Sequence, residues 1–150
     1  MKVGIVSDHR GYQLKEEILK KLKNIDLIDY GTFSTESVDY PDYAFKLGKK
    51  VMEKEVNYGI AICGSGIGIS IACNKVKGIR CAKVATKEEA YYTRNDNDSN
   101  IIAFSADTDL NKAIDIINTF LNTPFSNEER HINRIKKISE YEVNQWKGNF

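Results

Sequence analysis

Short apolar runs alternate with amphipathic stretches along nearly the whole chain. Val3 to Val6 is a β-branched run and predicts a first strand. Leu14, Ile18 and Leu22 recur at helical spacing and predict a helix from Tyr12 to Leu22. Leu27 and Ile28 mark a second short strand, ended by Gly31, and Pro41 opens a helix running to about Glu53. The apolar run Tyr58 to Ile62 predicts a buried third strand, and Ile69 to Val76 predicts a buried helix after it. Cys81 to Ala85 is a fourth strand. Thr86 suits the N-cap of the next helix, with Glu89 at capping-box spacing. Ile101 to Phe104 is a fifth strand, and Leu110 to Leu121 is an amphipathic helix ended by Pro124. Ser126 to Trp146 reads as a charged helical extension outside the alternation.

Five strands separated by helices predict an α/β fold of three layers, a parallel sheet with helices on both faces. Ligands in such sheets bind at the carboxyl ends of the strands. That rule gathers Ser7, Asp8, His9 and Arg10 after the first strand and Cys63 to Gly68 after the third, together with the loop after the fifth.

The 150 residues suit one domain, 1–150, with a proper core. A net charge of +1 offers no general attraction to nucleic acid or to a membrane surface. No apolar stretch approaches a bilayer span. The strand pattern begins at once, without a signal-peptide pattern. Three cysteines without a CxxC pairing argue against a zinc site or a disulfide framework and for a reducing, cytoplasmic location.

The stretch Cys63-Gly64-Ser65-Gly66-Ile67-Gly68 carries most of the chemistry. It places a thiol at the end of a buried strand, glycines that admit close backbone approach, and a helix start whose amides point into the same space. A thiolate is favoured there, and the amides can hold an oxyanion. Together they can remove a proton next to a carbonyl. Cys73 and Cys81, inside a helix and a strand, read as small buried hydrophobes. The glycines fit neither the dinucleotide fingerprint nor the Walker pattern. His9 lies at the ligand edge beside Asp8, a placement open to a structural or a functional role. Arg130 and Arg134 are one helical turn apart, so they form either a phosphate clamp or a solvated basic face. Asn95 to Asn100 reads equally as a turn and as a polar substrate contact.

With these residues in view, the chain resembles the ribose-5-phosphate isomerase B family, which also includes galactose-6-phosphate isomerase subunits. The resemblance covers nearly the whole chain. It is carried by Ser7-Asp8-His9-Arg10-Gly11-Tyr12, Asp29-Tyr30-Gly31-Thr32, Asp39-Tyr40-Pro41, Ile62 to Ala72, Asn74 to Arg80, Asn97-Asp98-Ser99-Asn100 and Arg130-His131-Ile132-Asn133-Arg134. It implies a Rossmann-like domain, a homodimer or dimer of dimers with shared active sites, and no metal or organic cofactor. It implies aldose–ketose interconversion of a sugar phosphate through an enediolate. On that resemblance Cys63 is the base, while Ser65 and the amides of Gly64, Gly66, Ile67 and Gly68 stabilise the enediolate. Asp8, Tyr40 and Asn97 contact the sugar, and His9, Arg130 and Arg134 hold the phosphate.

The chain departs from the family at several points. Asp96 stands where a histidine thought to open the sugar ring is usual, so ring opening falls to Asp96 or another group. Asp107 stands at a frequent arginine position, and Glu128-Glu129 replaces a common Gly-Gly. Added acids weaken anion binding, and Arg10, unusual in its loop, is the cation available to compensate. The first expectation is therefore a ribose-5-phosphate isomerase. The alternatives are the same chemistry on a six-carbon aldose phosphate or an unphosphorylated aldose, and a non-catalytic sugar-phosphate-binding subunit.

Overall fold

The computed structural model describes residues 1–149. Eleven elements follow in chain order: β1 (Lys2–Ser7), α1 (Tyr12–Lys21), β2 (Asp26–Asp29), α2 (Tyr40–Met52), β3 (Tyr58–Cys63), α3 (Ile67–Cys73), β4 (Cys81–Lys83), α4 (Lys87–Asn97), β5 (Ile101–Ser105), α5 (Leu110–Asn122) and α6 (Glu129–Glu142). The strands form one parallel sheet in the order β2-β1-β3-β5-β4. The winding reverses between β1 and β3, which creates a crevice at their carboxyl ends.

The central strands are buried on both faces, which is why they read as continuous apolar runs rather than alternating ones. Ile5, Ile60, Ile62, Ile102 and Phe104 enter one core, with Leu14 and Ile18 of α1, Ala90 of α4, and Ile116 and Phe120 of α5. Val6, Ala61, Cys63 and Ala103 enter the other, with Ala44, Leu47 and Val51 of α2 and Ile69 and Cys73 of α3. The predicted three layers are therefore present. The period-2 alternation of β3 sends the Cys63 side chain to the α2–α3 face.

Several boundaries differ from the sequence reading; among them the terminal helix, expected to run to Trp146, ends at Glu142, ahead of Asn144 at a left-handed φ of 59°. The helix expected over Ile69 to Val76 is Ile67–Cys73. It begins earlier because Gly66 takes a left-handed φ of 78° and turns the chain at once, and it closes in tight turns through Val76. The fourth strand stops at Lys83 rather than Ala85, although the Val84 amide still donates to the Ala103 carbonyl at 2.9 Å. The terminal helix begins at Glu129, because the Ser126 hydroxyl engages both the Glu128 amide and the His131 ring and holds a turn in which Asn127 takes a left-handed φ of 58°. The capping expectation at Thr86 is met: its hydroxyl accepts from the Glu89 amide at 3.1 Å, while the Glu89 carboxylate accepts from the Ala85 amide.

Candidate active site

The β1–β3 crevice holds the first group of predicted residues. Cys63 ends β3 with only 4% of its surface exposed. Its sulfur accepts the Gly66 amide at 3.2 Å. A donor aimed at sulfur stabilises negative charge there. Gly66 has no substitute: a Cβ would lie 2.6 Å from the Phe104 backbone, at a φ that L side chains avoid. The Ile67 amide donates to the Ser65 hydroxyl at 3.1 Å. Two loop amides thus have acceptors inside the loop. Those of Gly64, Ser65 and Gly68 have none among the described residues. Ser105 braces the loop from β5 by donating its hydroxyl to the Gly64 carbonyl at 2.7 Å.

Asp8, His9, Arg10 and Tyr40 surround this loop. The Asp8 carboxylate is buried, and one oxygen accepts the Arg10 and Gly11 amides at 3.0 Å each, shaping the start of α1. His9 Nδ1 accepts the Val38 amide at 3.2 Å, which leaves Nε2 to carry the hydrogen and serve as a donor. The Arg10 guanidinium lies over Gly64, where a Cβ would meet Nε at 3.1 Å. No hydrogen bond or ion pair engages that guanidinium among the described residues. The Tyr40 hydroxyl lies over Gly68, 2.8 Å from where a Cβ would sit. Gly64 and Gly68 are small because these two side chains occupy the space.

Asp96, Asn97, Arg130 and Arg134 form a second group, at the other end of the sheet. Asn97 ends α4 and leads into the start of β5, where the Asn100 carbonyl accepts the Gly59 amide of β3 at 2.9 Å. Cys63 pairs with Ser105 at the far end of the same two strands. Five residues of strand separate the groups, about 16 Å. Asp96 accepts the Asn95 side-chain amide at 2.7 Å and lies 3.7 Å from Nε2 of buried His131, whose Nδ1 is bonded to the Ser126 hydroxyl at 2.7 Å.

The predicted electrostatic departures are visible in the geometry. The Glu128 carboxylate accepts Nε of Arg130 at 2.7 Å. That bond holds the Glu128 carboxyl below its ordinary range and raises Arg130 further. Arg130 is therefore covered by a carboxylate of its own chain, while exposed Arg134 has no such partner among the described residues. Asp107 follows β5 beside the thiol loop, its amide donating to the Ser105 hydroxyl at 3.0 Å. It lines a cavity of about 380 Å³ with Lys83 and Lys112, which neither Cys63 nor His9 reaches. Cys73 is fully buried and hydrogen-bonded to Cys81, and that bond, with burial, pushes the Cys81 thiol well up. Both lie away from the glycine loop, Cys73 in the second core and Cys81 on β4.

Arg80 and Asp98 entered the sequence reading only inside longer motifs and Arg94 not at all, yet these three hold the turn after Asn97. Arg94 is 4% exposed, yet bonds the Asp98 carboxylate and the Ser99 carbonyl, both at 2.8 Å. The available signal was the density of turn formers directly after Arg94.

A thiol in a glycine loop at the switch point of a doubly wound sheet defines a Rossmann-like enzyme with equipment for proton transfer at carbon. The chain belongs to the ribose/galactose isomerase family, which matches residues 3–138. It is 39% identical over 144 residues to ribose-5-phosphate isomerase B of Escherichia coli, covering 94% of this chain and 96% of that protein. The structure of ribose-5-phosphate isomerase B from Clostridium thermocellum superposes with a TM-score of 0.92 at 46% identity, covering 96% of this chain and 99% of that one. The Mycoplasma genitalium enzyme, solved with bound ribulose 5-phosphate, superposes with a TM-score of 0.87 at 35% identity, covering 95% and 96%. No helix among the described residues is long and apolar enough to cross a membrane.

Proposed function

We propose that this protein interconverts ribose 5-phosphate and ribulose 5-phosphate, with Cys63 as the base, in sites completed by a second copy of the chain. The observation that carries the reading is the Cys63 sulfur held by the Gly66 amide, with unengaged loop amides beside it. As a thiolate, Cys63 takes the proton from C2 of the open-chain aldose. The C2–H electrons form a C1–C2 double bond, and the carbonyl pair moves to O1, giving an enediolate. The amides of Gly64, Ser65 and Gly68 stabilise that oxygen. Cys63 returns the proton to C1, and the hydroxyl proton passes from O2 to O1.

Distance supports a second chain. A five-carbon sugar phosphate cannot span about 16 Å of strand, yet Asn97, Arg130 and Arg134 are the groups suited to its hydroxyls and phosphate. A two-fold pair supplies both groups to each site, with His9 and Arg10 on the thiol side. Three free thiols favour a cytoplasmic setting.

A second reading keeps the chemistry and changes the sugar. The Glu128–Arg130 bond favours it, because a phosphate must compete with a carboxylate already in place. A six-carbon aldose phosphate or an unphosphorylated aldose would then serve better.

The test is a substrate panel on purified protein, measuring kcat/KM for phosphorylated and free aldoses before and after thiol alkylation. The proposal expects ribose 5-phosphate to lead and alkylation to abolish turnover. Turnover insensitive to alkylation would remove Cys63 as base. Preference for a free sugar would select the second reading. Mixing Cys63→Ala with Asn97→Ala chains checks the shared site. In the proposal Cys63→Ala is inactive alone and Asn97→Ala turns over with a raised KM, and re-association gives one fully intact site in each mixed pair, about a quarter of all sites, read as a component of normal KM.

A further inference from the structure

We propose that Arg80 is a positioning residue that fixes Asn97 for the sugar, an inference that rests on the assignment of Asn97 to the substrate given above. The end of α4 is already closed by its own backbone, since the Asp98 amide donates to the Arg94 carbonyl at 3.2 Å and the Ser99 amide to the Thr93 carbonyl at 3.1 Å. Arg94 adds its bonds from beneath. Arg80 then applies a second clamp from a different element. Its Nε donates to the Asn97 carbonyl at 3.0 Å and its Nη2 to the Asp98 carbonyl at 2.9 Å. The same Nη2 reaches the Asp98 carboxylate at 3.4 Å. Arg80 is itself pinned, because its amide donates to the Asn100 side chain at 2.9 Å and its carbonyl accepts the Asn100 amide at 3.1 Å.

Asp98 sits at a left-handed φ of 46°, a conformation that a non-glycine residue keeps only when its surroundings hold it. The Asn97 side chain, by contrast, is exposed and makes no hydrogen bond to any described residue. Two arginines thus immobilise the backbone under one free carboxamide. Helix closure needs one of them. The fork of Arg80 grips two consecutive carbonyls, which fixes both the position of Asn97 and the direction of its side chain. A lysine keeps the charge but cannot span both oxygens.

The test compares Arg80→Lys, Asn97→Ala and the double variant, measuring kcat, KM and Tm on the intact protein. Loss of one sugar hydrogen bond raises KM about 3- to 10-fold in Asn97→Ala. Arg80→Lys raises KM by a similar factor with Tm held, and the double variant is no worse than Asn97→Ala. KM effects that multiply in the double variant would show Arg80 acting independently of Asn97 and overturn the proposal. So would an Arg80→Lys variant with normal KM, or one whose KM follows a fallen Tm. If Asn97→Ala itself leaves KM unchanged, the assignment of Asn97 to the sugar fails, and the inference falls with it.

Discussion

The Gly66 amide points at the Cys63 sulfur across 3.2 Å, and the backbone that carries each is fixed. Cys63 is anchored by the β3–β5 ladder. Gly66 is anchored by the Phe104 backbone behind it. The thiol and its donor therefore keep their geometry without substrate.

Cys63→Ala removes the base and leaves the loop intact. Isomerisation and solvent exchange of the C2 proton fall by ~10²–10⁴-fold or more, with substrate binding still measurable. Near-normal exchange in this variant would refute the assignment. Cys73→Ala is a contrast, because it opens a cavity in the second core and changes Tm without changing exchange.

Gly66→Ala adds a methyl group against the Phe104 backbone at a left-handed φ. The conformational term alone costs roughly 1–2 kcal/mol, and the loop must also shift. The expected result is a lowered Tm together with loss of turnover. An alanine variant with full activity would show that the Gly66 amide does not matter to the sulfur.

Arg10→Ala removes a guanidinium that lies over the thiol loop without a partner among the described residues. A charge-assisted contact contributes about 1.5–3 kcal/mol, so binding of a phosphorylated substrate weakens about tenfold or more. Affinity for the free sugar stays nearly constant. Equal losses for both sugars would make Arg10 a structural residue.

Glu128→Gln uncovers Arg130. The Glu128 pKa is depressed, so its tie to Arg130 is complete at neutral pH and is lost only as pH falls through the lowered value, below the ordinary glutamate range. Acidification within the neutral range does not release Arg130, and the substitution does. Inhibition by inorganic phosphate strengthens about two- to fivefold at neutral pH, the scale of an exposed ion pair. Unchanged inhibition would place Arg130 outside the anion site.

The order of strands and helices was legible because each strand is a short apolar run bounded by glycine or polar residues, and Pro41, Thr86 and Pro124 mark helix ends. The start of α3 was not, because it depends on the tertiary contact that turns Gly66 left-handed. The start of α6 depends on Ser126 bonding a histidine five residues on. The thiol loop and its neighbours were legible from the rule for carboxyl ends. The separation of Asn97 from Cys63 was also encoded, since a loop before a parallel strand lies at the edge opposite a loop after one. Reading it requires strand direction, which residue type alone does not supply. Glu128 was flagged by its charge, but its bond to Arg130 follows from the turn ahead of α6.

The two glycines under Arg10 and Tyr40 divide labour within the thiol loop. Around the Cys63 sulfur the supporting donors are main-chain amides, which a point mutation cannot exchange for others. The Arg10 and Tyr40 groups laid over the loop are side chains, which a point mutation can exchange. In the proposed reading, the loop's main chain can therefore keep the reaction constant while exchanges at Arg10 or Tyr40 alter which sugar is accepted.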